Sequence, residues 1–309
     1  RRRHTRYISV TGVQTCALPI CQYNLYKSQR YQDVRLVFAP ELAIAFFGGD
    51  PDNFNFPRYD FDISFLRVYE NNQPLKTNDF FKWSAQGAKE NDLTFVTGHP
   101  GHTERMLTIA ELEALRDEKM LDLLTYMSEL RGFLTEFQSR SDEQKRYSSD
   151  LLFGVENGLK AMKGRQETLV NKEFFASKVT AENEFRKKVN ANPSWKKEYG
   201  SAWDEMASAT KEARNIRKQL WWKERSDYSS ALFGRARILV RAAAEMQKPD
   251  EKRFREYTDS ALPELKQELF STAPVYNDME IALLTFNLTK MREILTADDP
   301  FVKKVLGNK

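Results

Sequence analysis

Cysteine is almost missing from this chain of 309 residues, with Cys16 and Cys21 alone. That excludes a disulfide-stapled scaffold and any four-cysteine zinc or iron–sulfur site. Histidine is nearly as scarce: His4, His99 and His102. Long hydrophobic runs are absent too. Stretches such as Leu42–Phe47 fall far short of the about 20 apolar residues that a membrane-spanning helix needs. With 13 Gly and 11 Pro the chain is not low-complexity, and its 41% hydrophobic content is too high for a disordered one. One large or two ordinary globular domains fit these bounds.

A clustered excess of positive charge is also lacking. The net charge is +4, yet Arg1, Arg2, Arg3 and Arg6 supply all of it. Without them the remaining Lys and Arg equal the 44 acids. A nucleic-acid surface needs grouped Lys and Arg, so no nucleic-acid partner is expected from the body of the chain. The residues that follow read Val10-Thr-Gly-Val-Gln-Thr-Cys-Ala-Leu-Pro-Ile20, which resembles a translated sequencing-library adapter. Residues 1–21 are therefore expected to be foreign and are set aside from fold reasoning. Cys16 goes with them, so cysteine usage says nothing of redox compartment.

What is present divides in two. From residue 22 to about 108 the chain reads as strands and turns. Tyr23–Lys27 alternates, and Asp33–Ala39 is rich in β-branched and aromatic residues until Pro40. Asp60–Glu70 alternates, with Phe61, Ile63 and Phe65 on one face. Asn71-Asn72-Gln73-Pro74 is a turn, and Leu93–Thr97 a further strand. From 109 to 309 helical spacing takes over. Leu121, Leu124, Met127, Leu130 and Leu134 recur at three and four residues. So do Leu152, Val155, Leu159 and Met162, then Leu239, Ala242 and Met246. Leu283, Phe286, Leu288 and Met291 are looser. Asn192-Pro193 and Lys248-Pro249 mark breaks between helices. The expected class is α+β.

One segment is not generic. Residues 46–69 read FFGGDPDNFNFPRYDFDISFLRVY. An aromatic, polar loop leads into a strand with an acid near its start. A buried carboxylate is costly unless paired, so an acid expected to be buried there wants a reason.

The segment resembles the bacterial dipeptidyl-peptidases of types 7 and 11, chymotrypsin-like serine exopeptidases with a large helical insert. The resemblance rests on Gly48-Gly49-Asp50, on Asp52-Asn53-Phe54-Asn55-Phe56-Pro57-Arg58, on Asp62 and on Arg67-Val68-Tyr69. Asp33–Pro40, Gly98–Gly101 with Thr103–Thr108, Glu156–Lys160 and Asp298–Val302 extend it over residues 22–309. It implies part of a chymotrypsin-like β-barrel at 22–108, followed by an α-helical cap at 109–309.

The resemblance also assigns roles. Asp62 aligns with the triad aspartate, which would accept a hydrogen bond from histidine Nδ1–H. Asp60, two residues earlier, is its rival. Asn53 aligns with an asparagine that holds the substrate's free α-amino group. Phe54 stands where a neighbouring aromatic residue supplies backbone to the same group. Asn157 aligns with a second amide from the helical region. Without the resemblance, Asp62 reads as a structural acid, Asn53 as a turn asparagine bonding its own backbone and Asn157 as a helix-surface residue.

The implied partners are peptides with a free N-terminus, with no metal or organic cofactor and no membrane, in the periplasm or outside the cell; a homodimer is implied for the full-length protein. The catalytic histidine is expected upstream of Gln22 and the serine beyond Lys309, so this chain is expected to be an inactive fragment. His99 and His102 flank Pro100-Gly101 and make a turn, unlike the i, i+4 pair on a helix that binds zinc. A reading from another class is a non-enzymatic helical adaptor, which would not require the 46–69 motif.

Overall fold

The computed structural model describes residues 8–9, 26–27, 29–46, 50–95, 104–225 and 228–307. The chain divides into two compact units, Arg1–Gly101 and His102–Lys309.

The first unit is built on antiparallel strands. β1 (Ile8–Ser9) pairs with β2 (Tyr26–Lys27). β3 (Asp33–Phe38) pairs with β4 (Phe65–Glu70), from Asp33 opposite Tyr69 to Phe38 opposite Phe65, with a register shift between Leu36 and Phe38. A single helical turn, α1 (Leu42–Ala45), follows β3 after Pro40. β4 turns through Asn71 and Asn72 into β5 (Gln73–Pro74). Both asparagines have positive φ, 52° and 61°, as the two centres of a tight hairpin require; the turn is narrower than the four residues expected. Arg35 binds this corner together. Its guanidinium lies 3.8 Å from the Tyr69 ring centroid and donates to Asp33 at 3.0 Å and to the Asn72 side chain at 2.6 Å.

Two strand expectations fail. Asp60–Ser64 alternates but is not strand, because β3 ends at Phe38 and offers nothing opposite residues before Phe65. Leu93–Phe95 is irregular as well, and Val96 and Thr97 lie outside the described residues.

The second unit is helical: α2 (Ile109–Ala114), α3 (Met120–Ser139), α4 (Asp142–Val170), α5 (Lys172–Ala191), α6 (Pro193–Tyr199), α7 (Ala202–Leu220), α8 (Ala231–Glu245), α9 (Leu262–Leu269), α10 (Asn277–Leu295) and α11 (Pro300–Leu306). The chain is thus α+β, a small antiparallel sheet before a large helical region.

Capping fixes the starts. Thr108 and Glu111 form a capping box at α2. Ser141 accepts from the Gln144 amide, Asn171 from Phe174, and Asn192 from Ser194 and Trp195 just before Pro193. Two π-helical turns interrupt the run, Leu115–Lys119 between α2 and α3 and Trp221–Arg225 after α7.

Three apolar clusters hold the helices. Leu112, Leu115, Met120 and Leu169 form the first. Leu130, Leu134, Val155 and Leu283 form the second, with Met127, Leu152, Leu159 and Phe286 against it. Trp222, Tyr228, Met291, Leu295 and Val302 form the third. Met120 rather than Leu121 is buried at the start of α3, because nine residues of helix set Leu121 half a turn round from the buried Leu130.

The α8 stripe is a second correction. Leu239 is 58% exposed and Val240 73%, and Leu232, Ala236 and Ala243 are exposed with them. The half-buried Arg237 donates to the Glu224 carbonyl at 2.7 Å, and Arg241 pairs with the Glu224 carboxylate. Spacing correctly groups apolar residues on a helix, but it does not say which face is covered.

Candidate active site

A single 3₁₀ turn, Asp50–Asp52, delivers the chain into the 53–62 loop. Asn53 follows at 6% exposure and is the one fully buried side chain among the described residues of the first unit. Phe54 is exposed and has φ 62°, a left-handed backbone that a bulky residue adopts at a cost. The strain reverses the chain directly after Asn53. Asn55 bonds the backbone just before it: its amide donates to the Asp52 carbonyl at 3.1 Å and its Nδ2 to the Pro51 carbonyl at 2.8 Å. Burying the neighbouring amide of Asn53 has to be compensated by hydrogen bonding.

Asp62 lies at the centre of a three-residue turn, closed by the Ile63 amide on the Phe61 carbonyl at 3.0 Å. Phe61 anchors that turn. Its amide donates to the Ile44 carbonyl at 3.2 Å and its ring sits 6.0 Å from Phe38, which also meets Phe65 at 6.2 Å. The expectation of a buried acid at a strand start is corrected: Asp62 is exposed and precedes β4 by three residues. Neither Asp60 nor Asp62 is paired with a described residue. An exposed carboxylate keeps its contact with water, which removes the burial cost foreseen from the sequence.

Asn157 is half-buried on α4. Glu156 beside it pairs with Arg131 of α3 at 3.1 Å. On its other side, a Cβ at Gly158 would lie 2.5 Å from Met127 Cε, so glycine leaves room there for the end of the Met127 side chain.

In the Asp298–Val302 segment, Asp299 caps α11 and accepts from the Phe301 amide at 2.8 Å. The Gln219 amide donates to its carboxylate at 3.0 Å and the Lys223 ammonium at 3.1 Å. These donors hold its pKa down at about 2.

His4, Cys16, Cys21, His99 and His102 lie outside the described residues, as do Gly48 and Gly49. Among the described residues no three His, Cys, Asp or Glu side chains group as a metal site. No described helix is long and apolar enough to cross a membrane.

A model of the Peptidase S46 family matches residues 20–309. An Asp/Glu-specific dipeptidyl-peptidase of Shewanella putrefaciens is 27% identical over 253 residues, covering 75% of this chain and 33% of the relative. Dipeptidyl-peptidase 7 of Phocaeicola vulgatus is 28% identical over 188 residues, covering 56% of this chain and 26% of the relative. The crystal structure of Porphyromonas endodontalis DPP11 with the dipeptide Arg-Glu superposes with a TM-score of 0.59 at 21% identity. That match covers 87% of this chain and 40% of the other. The chain therefore spans well under half the length of the relatives it matches.

Proposed function

The chain belongs to the Peptidase S46 family, and from that membership we propose that it is part of a serine dipeptidyl-peptidase that removes dipeptides from the free N-termini of peptides. The observation that carries this reading is the buried Asn53 in the 53–62 loop. An amide oxygen can accept from an ammonium without the cost of a buried carboxylate. Holding the α-amino group there sets the second peptide bond at the reactive centre. Phe54 contributes backbone at the reversal, and Asn157 a second amide from the helical cap.

Asp62 supplies the third member of the triad. Exposed and unpaired with any described residue, it is available to accept from histidine Nδ1–H. It fixes the tautomer that accepts the serine proton and stabilises the imidazolium that forms. Acyl transfer of this kind runs on groups of the protein itself, without a metal or organic cofactor.

The sheet belongs, on this reading, to a larger chymotrypsin-like barrel. Phe65 and Leu66 are adjacent on β4, so they point to opposite faces, and both are apolar and exposed. Strands apolar on both faces suit a sheet covered on both sides. The enzyme would act in the periplasm or outside the cell, as a homodimer in its full-length form. The family match covers residues 20–309 and so overlaps the last two residues of the 1–21 segment expected to be foreign.

The test uses the full-length protein and fluorogenic dipeptidyl substrates with free and acetylated N-termini. Asp62→Asn should lower kcat by about 10⁴-fold. Asn53→Ala should raise KM for the free amine and narrow its advantage over the acetylated form. Full activity of Asp62→Asn, beside a loss in Asp60→Asn, would transfer the role to Asp60. Full activity in both overturns the triad assignment.

A further inference from the structure

We propose that the helical unit binds a small hydrophobic carboxylic acid in a cavity between α3, α7 and α10. The inference is independent of the peptidase reading. The cavity has a volume of about 260 Å³, at the lower edge of ordinary small-molecule sites and suited to one aromatic or branched aliphatic group.

Its wall is aromatic. Tyr126 of α3 meets Trp222 edge-on at 5.9 Å, and Trp221 stands beside them, 37% exposed. Leu123, Leu220 and Ile294 complete the apolar lining. Both π-helical turns of the unit supply lining residues: Lys119 closes the first, and Trp221 and Trp222 open the second. A π-turn inserts a residue into a helix and displaces its side chains; such turns are over-represented at functional sites.

Charge decides the class of ligand. Asp122, the lining acid, is taken by Arg217, which also lies 3.8 Å from Glu118. Glu118 in turn pairs with Arg214 at 3.0 Å. That leaves Lys119 and Lys218, both exposed and neither paired with a described residue. An apolar pocket flanked by two unpaired ammonium groups fits an apolar body carrying one anion. It disfavours an amine.

The experiment titrates the full chain with 3-phenylpropionate, following tryptophan fluorescence, and repeats the titration with the neutral 3-phenylpropionamide. The acid should give a saturable change and bind at least about fivefold tighter than the amide, the scale of exposed charge pairing. Lys119→Ala combined with Lys218→Ala should erase that preference while leaving amide binding and circular dichroism unchanged. Leu123→Trp should abolish binding of both by filling the cavity. No saturable change with the acid overturns the proposal. So does equal binding of acid and amide, or a preference that survives loss of both lysines. Should Leu123→Trp fail to fold, the surface lysine pair still decides.

Discussion

The Tyr126 hydroxyl on α3 donates to Asn287 Oδ1 on α10 at 2.7 Å, inside the core of the helical unit. Asn287 is 0% exposed, and its Nδ2 donates to the carbonyls of Tyr228 and Leu283, each at 2.9 Å. Tyr228 and Ser229 both have positive φ, 57° and 52°, so this amide grips a backbone segment that would otherwise relax. Asn287→Ala removes the acceptor of the Tyr126 hydroxyl and a donor to the Tyr228 carbonyl, and opens a cavity. It should cost about 2–4 kcal/mol, with Tyr126→Phe nearer 1 kcal/mol. Urea midpoints by circular dichroism measure both. A loss under about 0.5 kcal/mol for Asn287→Ala would show that the clamp is not made.

The start of α8 depends on a carboxylate from another helix. Glu280 of α10 accepts from Ser230 Oγ and from the amides of Ala231 at 3.0 Å and Leu232 at 3.2 Å. Ser230 also accepts from the Phe233 amide as N-cap. Ser230→Ala should cost about 1 kcal/mol. Glu280→Ala should cost about 1–3 kcal/mol, because two amides at a helix start lose an anion. Because both act on one site, the double variant should fall short of their sum. Strict additivity in thermal or urea unfolding would contradict this account.

Asp299 predicts an acid-sensitive contribution. Its folded pKa of about 2 lies below its ordinary 3.8, held down first by Gln219 and then by Lys223 and the amides of α11. A depressed carboxylate pKa adds stability that is complete above the unfolded value and is lost as pH falls through the folded one. The stability difference between the wild type and Asp299→Asn should therefore be largest above about pH 4. It should shrink steadily toward pH 2. A difference constant over that range, read from urea midpoints, would remove Asp299 from the acid response.

The outward stripe of α8 makes the opposite kind of prediction. Leu239→Lys and Val240→Lys replace exposed apolar groups and break no contact described for the chain. Each should change unfolding free energy by no more than about 0.5 kcal/mol and should raise solubility, since contiguous apolar surface promotes association. A loss of 2 kcal/mol or more, roughly that of a core substitution, would mean that the face is covered in solution.

Much of the architecture is legible because it follows from local rules. Pro40 ends β3, Asn192-Pro193 starts a helix, and the Leu130, Leu134, Val155 and Met291 positions are buried as their spacing implies. Other features depend on what lies opposite. Asp60–Ser64 alternates like a strand but meets no partner, and Leu239 repeats like a core residue but faces out. Polar residues at the centre leave no periodic trace: Asn287, Glu280 and Ser148 are buried among helices whose apolar pattern predicts only Leu and Met inside. The 46–69 motif is visible in the sequence as an ordered set of residues. The burial of Asn53 and the exposure of Asp62 are not, since both arise from turns that the residue types permit but do not dictate.

The capping box at α2 has a tertiary counterpart. Thr108 N–H donates to Glu111, Glu111 N–H returns to Thr108, and the Ile109 amide between them reaches Glu182 of α5 at 2.7 Å. The first turn of the helical region is thereby sewn to a helix more than seventy residues downstream, with every stitch inside the same unit. A recombinant piece opening at Glu104 would carry its own seam, making that position a natural place to separate the bundle for crystallisation or labelling.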